Sequence, residues 1–128
     1  VEKGELFAQS DVITIHYKLS ERSRGLVDKA AINAMKPTAI LVNTSRGPIV
    51  DYDALADALT GGRIAGAGLD VYDTEPLPGD DMMRSLPRTV LTPHLGYVSH
   101  DTYRIFYAET VENILAWLKG EPVRLIDA

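Results

Sequence analysis

The sequence predicts an α/β domain built on a parallel sheet, and three observations lead to this fold class. Short runs of β-branched and apolar residues recur along the 128-residue chain and alternate with amphipathic helical patterns, which is typical of consecutive βα units. The runs VITI, AILV and TVLT are apolar at successive positions, as expected for parallel strands with helices on both faces. Capping residues and glycines stand where the helical patterns begin and end. We therefore predict a doubly wound parallel sheet with a long carboxyl-terminal helix.

The first part of the chain predicts two helices and two strands. A short helix around residues 4–9 leads into a strand over residues 11–16 (DVITIH). The next helix begins after Asp28, whose carboxylate can cap it, and stops directly before Pro37, since proline disfavours helical backbone in the preceding residue. A second strand is predicted over residues 39–44.

The middle of the chain repeats this pattern. Asp51 is a further capping residue, and the helix that it opens runs to about Leu59 and ends at Gly61 and Gly62. The remaining short elements are a strand rich in small residues over 64–71, a turn of helix over 82–86 and a strand over 89–92.

The longest helix is predicted over residues 101–119, with Ser99 as its cap and Gly120 as its end. Apolar side chains recur at every third or fourth position and form one face, which consists of Tyr103, Tyr107, Val111, Ile114 and Leu118. We expect this face, together with Trp117, to pack in a core or between domains.

Composition excludes several classes of function. The net charge is −5 and the basic residues are scattered, so no cationic stripe is available for nucleic acid. The apolar runs are too short to cross a bilayer. Because the chain has no cysteine, it has neither disulfides nor a thiolate zinc site, which agrees with a cytoplasmic location. A small molecule is the expected ligand.

Polar side chains follow the predicted strands at their carboxyl ends. They are His16, the segment Thr44 to Arg46, Asp70 and His94. The carboxyl ends of parallel strands share one edge of the sheet, and open α/β sheets bind their ligands there. We therefore predict an active site at this edge. The Gly-Gly pair at 61–62 and the Gly-Ala-Gly stretch at 66–68 do not predict phosphate loops, since neither lies between a strand and a helix in the required order.

Four segments, taken in order, closely resemble the NAD-binding domain of the D-isomer-specific 2-hydroxyacid dehydrogenases. They are SDVITIHYKLSERSRGLV, MKPTAILVNTSRGPIVD, GRIAGAGLDVYDTEPLP and LTPHLG. The resemblance implies the second half of a Rossmann-type sheet. It assigns residues 1–100 to the carboxyl-terminal half of the NAD-binding domain, and residues 101–128 to a long helix and tail that return toward a substrate domain.

The resemblance also implies roles for individual residues. Three are catalytic: Arg46 binds the substrate, Glu75 pairs with the catalytic histidine, and His94 is the acid/base. The cofactor-binding residues that it implies are His16, Tyr17, Thr44, Ser45, Arg46, Asp70, His94 and Gly96. No metal site is implied. The family further suggests NAD as the cofactor, with NADP left open, and a homodimer formed through this domain.

The chemistry of 2-hydroxy acids explains these residue types. Oxidation needs a base for the hydroxyl proton while hydride leaves the same carbon, and reduction needs the reverse, so one histidine can serve both directions. A carboxylate at Glu75 would favour the imidazolium of His94 by opposite-charge attraction. The planar fork of Arg46 suits a substrate carboxylate better than the point charge of a lysine.

The sequence departs from the family pattern in two ways that leave alternatives open. Lys18 and Tyr97 stand where the family usually has proline and a small residue, which leaves cofactor preference and substrate size undetermined. The GxGxxG turn and a separate substrate domain are absent, so we expect this chain to be the carboxyl-terminal part of a dehydrogenase. We expect this part to be inactive alone. The strand at residues 11–16 would then be an unprotected edge of the sheet, which favours association with a partner. The alternatives are a corepressor-like cofactor sensor and an inactive interaction module.

Overall fold

A computed structural model of the protein, which describes residues 1–126, contains a four-stranded parallel sheet. Its strands stand in the order β1 (Val12–Ile15), β2 (Ile40–Asn43), β3 (Gly66–Leu69) and β4 (Thr89–Leu91). All three pairs of neighbours run parallel. The predicted α/β class is confirmed, and each strand is shorter at its ends than its apolar pattern indicated.

Within the described residues the α-helices are α1 (Lys3–Gln9), α2 (Lys29–Ala34), α3 (Tyr52–Thr60) and α4 (His100–Leu118), with short 3₁₀ turns at Gly47–Ile49 and Met82–Ser85. The three predicted caps are confirmed. Asp28 accepts the N–H of Ala31 at 2.7 Å and Asp51 accepts that of Ala54 at 3.0 Å. Ser99 accepts the N–H of Thr102 at 3.2 Å. Helix α2 ends at Ala34, earlier than predicted, because Met35 is already extended at ψ 153°.

The first compact unit, Val1–Leu95, has its core on one face of the sheet. Helices α1, α2 and α3 all contribute to the same buried cluster, which includes Phe7, Ile13, Ile32, Leu41, Leu55, Leu59 and Leu69. On the other face Val12, Ile40 and Val90 are 59%, 42% and 68% exposed. The prediction that helices cover both faces is therefore not met within residues 1–95, because the helices of this unit all pack on one side.

The second unit begins at Gly96 and contains α4 and the tail that follows it. The predicted apolar stripe is present. Helix α4 has no buried residue, and the stripe ranges from Tyr103 at 44% to Leu118 at 67% exposed, so it does not pack in a core within the described residues. Packing between domains stays a prediction. Within this unit the tail contacts the helix, where Arg124 donates to Asn113 at 2.9 Å, and Tyr97 from the preceding turn lies beside Tyr103 and Tyr107. The predicted tail ends with Asp127 and Ala128, which lie outside the described residues.

None of the helices described in residues 1–126 is both long and apolar enough to cross a membrane.

Candidate active site

The register of the sheet brings the four strand ends into one row. Ile15 is paired with Asn43, Asn43 with Leu69, and Leu69 with Leu91, and each of these residues is the last of its strand. The residues that follow them therefore leave the sheet along a common edge. They are His16, Thr44, Asp70 and Thr92.

The turn that carries Arg46 is held by Asn43. This side chain is fully buried, accepts the N–H of Ser45 at 3.0 Å and donates to the carbonyl of Arg46 at 3.0 Å. The hydroxyl of Ser45 donates to the carbonyl of Tyr17 at 2.5 Å, which joins this turn to the loop after β1. Asn43 was not among the predicted site residues, although an asparagine that bonds the backbone two residues on is a known turn signal.

Gly47 lets this turn lie directly against the next loop. A Cβ atom at this position would overlap the carbonyl group of Tyr72 and the backbone nitrogen of Asp73. Only glycine permits so close a backbone approach. The turn that presents Arg46 is thereby packed against the start of the loop that presents Glu75.

Glu75 and His94 form an ion pair across two loops. His94 Nδ1 lies 2.6 Å from Glu75 Oε2, although the residues are 19 positions apart in sequence. The second carboxylate oxygen accepts the backbone N–H of Tyr72 at 2.9 Å. The two side chains are 33% and 37% exposed, so a ligand can reach the pair.

This arrangement lowers the pKa of the Glu75 carboxyl. The hydrogen bond from His94 is the largest cause, followed by the bond from the Tyr72 backbone. The positive charge of Arg46 also lowers this pKa, which places the guanidinium within electrostatic reach of the pair. Glu75 therefore stays ionised at neutral pH, and the stabilisation that its lowered pKa represents is lost as the pH falls through that pKa.

His94 adopts a left-handed backbone conformation with φ 58°. Such a conformation at a non-glycine residue is uncommon and often marks a functional position. The neighbouring Asp70 is buried, and its Oδ1 accepts the N–H of Leu95 at 2.7 Å and the hydroxyl of Thr92. Asp70 thus contacts the chain on both sides of His94.

Two openings adjoin these groups. One cavity, of about 570 Å³, is lined by Glu75 and His94 together with Tyr72, Pro76, Leu77, Arg84, Leu91, Thr92 and Pro93. A second groove, of about 290 Å³, is lined by His16, Tyr17, Lys18, Leu19, Thr44, Ser45 and Arg46. The lining of this groove includes two cationic side chains and no carboxylate, so its chemistry fits an anionic dinucleotide.

The remaining predicted residues are placed as follows. His16 bonds through Nε2 to the hydroxyl of Thr14 at 2.9 Å. Gly96 is the first residue of the second unit, directly after Leu95. The cofactor roles predicted for both residues stay predictions.

Comparison with known proteins decides the family. Residues 1–96 match the family described as D-isomer specific 2-hydroxyacid dehydrogenase, NAD binding domain. The chain belongs to this family. Residues 1–96 therefore match the NAD-binding domain of this family, as their motifs implied.

Individual members of the family are similar over most of this chain. The glyoxylate reductase of Korarchaeum cryptofilum is 43% identical over 124 residues, which are 96% of this chain and 37% of that protein. A putative D-3-phosphoglycerate dehydrogenase from Ralstonia solanacearum superimposes with a TM-score of 0.87 at 35% identity, over 97% of this chain and 36% of the other.

A third similar protein has a bound cofactor. It is the D-isomer specific 2-hydroxyacid dehydrogenase from Xanthobacter autotrophicus Py2 in complex with NADPH and MES, with a TM-score of 0.73 at 33% identity over 97% of this chain and 51% of the other. The chain thus spans between about a third and a half of the length of these dehydrogenases.

Proposed function

We propose that this chain supplies the proton-transfer and substrate-binding groups of an NAD(P)-dependent D-2-hydroxyacid dehydrogenase that acts on a small 2-keto acid such as glyoxylate. The observation that carries this proposal is the contact of 2.6 Å between His94 and Glu75, within electrostatic reach of Arg46. Family membership, and the glyoxylate reductase among the relatives, support the substrate class.

In this proposal His94 exchanges the proton. Its Nδ1 is bonded to Glu75, so Nε2 is the atom that donates a proton to the keto oxygen during reduction and removes it during oxidation. The ionised Glu75 stabilises the imidazolium and fixes the ring orientation, because its other oxygen is held by the Tyr72 N–H.

Arg46 binds the carboxylate of the substrate. Its guanidinium presents a planar set of donors at the carboxyl edge of β2, and one of them, Nη1, bonds the carbonyl of Ser45 at 2.6 Å. A carboxylate bound here would orient the keto oxygen toward His94 and C2 toward the nicotinamide.

The nicotinamide cofactor, when bound, supplies or accepts the hydride at C2. Thr44 and Ser45 would hold it in the cationic groove, with His16 and Tyr17 beside the dinucleotide and Asp70 facing the carboxamide. Gly96 completes the proposed cofactor set. The homodimer and the cytoplasmic location stay predictions.

The proposal is tested by assaying the full-length protein. We expect NADH or NADPH to reduce glyoxylate and hydroxypyruvate, and chiral chromatography to identify the product from hydroxypyruvate as D-glycerate. The 128-residue chain alone should not turn over, since it lacks the GxGxxG turn. Exclusive formation of the L-isomer, or cofactor binding without reduction of any keto acid in a panel of 2-keto acids, would contradict the proposal; the second result would favour a cofactor sensor.

The lowered pKa of Glu75 gives a prediction that does not depend on activity. In a ¹³C NMR titration of the 128-residue chain, the Glu75 carboxyl should titrate below its usual 4.5, and His94→Gln should move the midpoint upward because the variant loses the cationic donor. The carboxyl of Asp28, whose pKa is lowered chiefly by the Ala31 N–H, serves as the control and should not change. An unchanged Glu75 midpoint in the variant would show that the pair does not form in solution.

A further inference from the structure

We propose that Thr92 is a positioning residue, whose hydroxyl holds His94 in the orientation that meets Glu75. The inference rests on the proposed function only in taking His94 as the acid/base. Thr92 precedes Pro93 and His94 and follows the last residue of β4.

The backbone at His94 needs support from its surroundings. A left-handed φ of 58° at a non-glycine residue is held only where neighbouring contacts favour it over relaxed alternatives. Asp70 provides such contacts, because its Oδ1 accepts the hydroxyl of Thr92 and, at 2.7 Å, the N–H of Leu95. One carboxylate oxygen thus binds a residue before His94 and a residue after it.

The Asp70 carboxylate is suited to this task. Asp70 is only 4% exposed and lies at the end of β3, where its own N–H donates to the carbonyl of Asn43 at 3.0 Å. A buried acceptor has little access to water, so a donor that is withdrawn from it is not fully replaced. The hydroxyl of Thr92 is therefore expected to matter more than that of an ordinary surface threonine.

The backbone of Thr92 makes two further hydrogen bonds, to the last residue of β3 and to the segment after it. Its N–H donates to the carbonyl of Leu69 at 2.9 Å, and its carbonyl accepts the hydroxyl of Tyr72 at 3.0 Å. The backbone N–H of Tyr72 in turn holds Glu75. The same short segment after β3 thus fixes the base of the histidine loop and the carboxylate that the histidine meets.

The test compares Thr92→Val with Thr92→Ser in the full-length enzyme. Valine keeps the shape of threonine and removes the donor, so kcat should fall about 10- to 100-fold, the effect of moving a catalytic group by up to an ångström. The KM for the keto acid should stay within about twofold, since Arg46 is untouched. Thr92→Ser retains the hydroxyl and should retain most of the kcat.

Thr89→Val is the matched control. Thr89 is the first residue of β4, at the opposite end of the strand from His94, and its hydroxyl also donates a hydrogen bond, at 3.0 Å to the carbonyl of Leu86. This variant should leave kcat unchanged. If Thr92→Val fails to fold, Thr92→Ala replaces it, and the proposal then requires the alanine variant to lose kcat where the serine variant does not.

A spectroscopic measurement separates this inference from the proposed function. In ¹⁵N-resolved NMR spectra of the 128-residue chain, the imidazole of His94 should show a protonated Nδ1 bonded to Glu75, and Thr92→Val, but not Thr89→Val, should shift this signal. A normal His94 signal in Thr92→Val, or an unchanged kcat, would overturn the positioning role. A shifted signal in a protein whose full-length form reduces no keto acid would instead retain the positioning role and contradict the dehydrogenase.

Discussion

Replacing His94 with glutamine in the full-length enzyme is expected to lower kcat for keto-acid reduction about 10²- to 10⁴-fold, the range that a positioned acid/base contributes. Glutamine can occupy a similar volume, but it cannot give up a proton near neutral pH. The pair with Glu75 at 2.6 Å makes His94 the group whose loss should matter most. Steady-state kinetics in both directions measure the effect, and oxidation should fall together with reduction because one residue serves both.

His100→Gln is the control for this experiment. The His100 side chain is 92% exposed on α4, and its nearest acidic partner is Asp101 at 3.7 Å. We expect wild-type kinetics for this variant. Retained NAD(P)H binding in His94→Gln, measured by fluorescence, would separate lost proton transfer from lost cofactor. A kcat within about twofold of wild type would remove His94 from the mechanism, since even weak acid/base catalysis exceeds that factor.

Arg46→Lys is expected to lower kcat/KM for the keto acid about 10- to 150-fold, since each hydrogen bond to a charged group is worth about 1.5–3 kcal/mol. Lysine keeps the positive charge and loses the planar pair of donors, so the substrate carboxylate would be held without a fixed orientation. The expected pattern is a raised KM accompanied by a lower kcat. Varying the keto acid at saturating NAD(P)H gives both constants.

A matched control is Arg104→Lys, because that arginine is 70% exposed on α4 and pairs only loosely, at 3.5 Å, with Asp101 among its described contacts. This variant should have the kcat and KM of the wild type. If Arg46→Lys also kept wild-type kinetics, the substrate carboxylate would have to bind elsewhere, and the proposed role of Arg46 would be wrong.

Features encoded by neighbouring residues could be predicted from the sequence. The caps at Asp28, Asp51 and Ser99 were found because an N-cap is a local pattern, in which one side-chain oxygen accepts an N–H three residues on. The strand order follows the chain, and the alternation of elements was sufficient for the parallel sheet. The proximity of Glu75 and His94 was expected from family resemblance and not from spacing.

Features that depend on tertiary contacts could not be predicted. Asn43, Tyr72 and Thr92 are ordinary polar or aromatic residues in the sequence, and their roles appear only when the ends of β2, β3 and β4 stand in register. The apolar stripe of α4 predicted burial, because periodicity indicates an apolar face and cannot say what covers it. The exposed face of the sheet could not be predicted for the same reason: apolar runs indicate that a face should be covered but cannot say what covers it.

The common edge of the sheet has a consequence for the proposed activity. Arg46, Glu75 and His94 follow three consecutive strands of one compact unit, and main-chain ladders connect those strands directly. Their mutual spacing is consequently fixed when the sheet forms, before any ligand arrives. Little reorganisation of these charges is then needed during turnover, which is the condition under which electrostatic catalysis is most effective. Under the proposed function, any rearrangement that substrate binding requires can be confined to the approach of the keto acid, because the proposed proton donor and its counter-charge are already assembled.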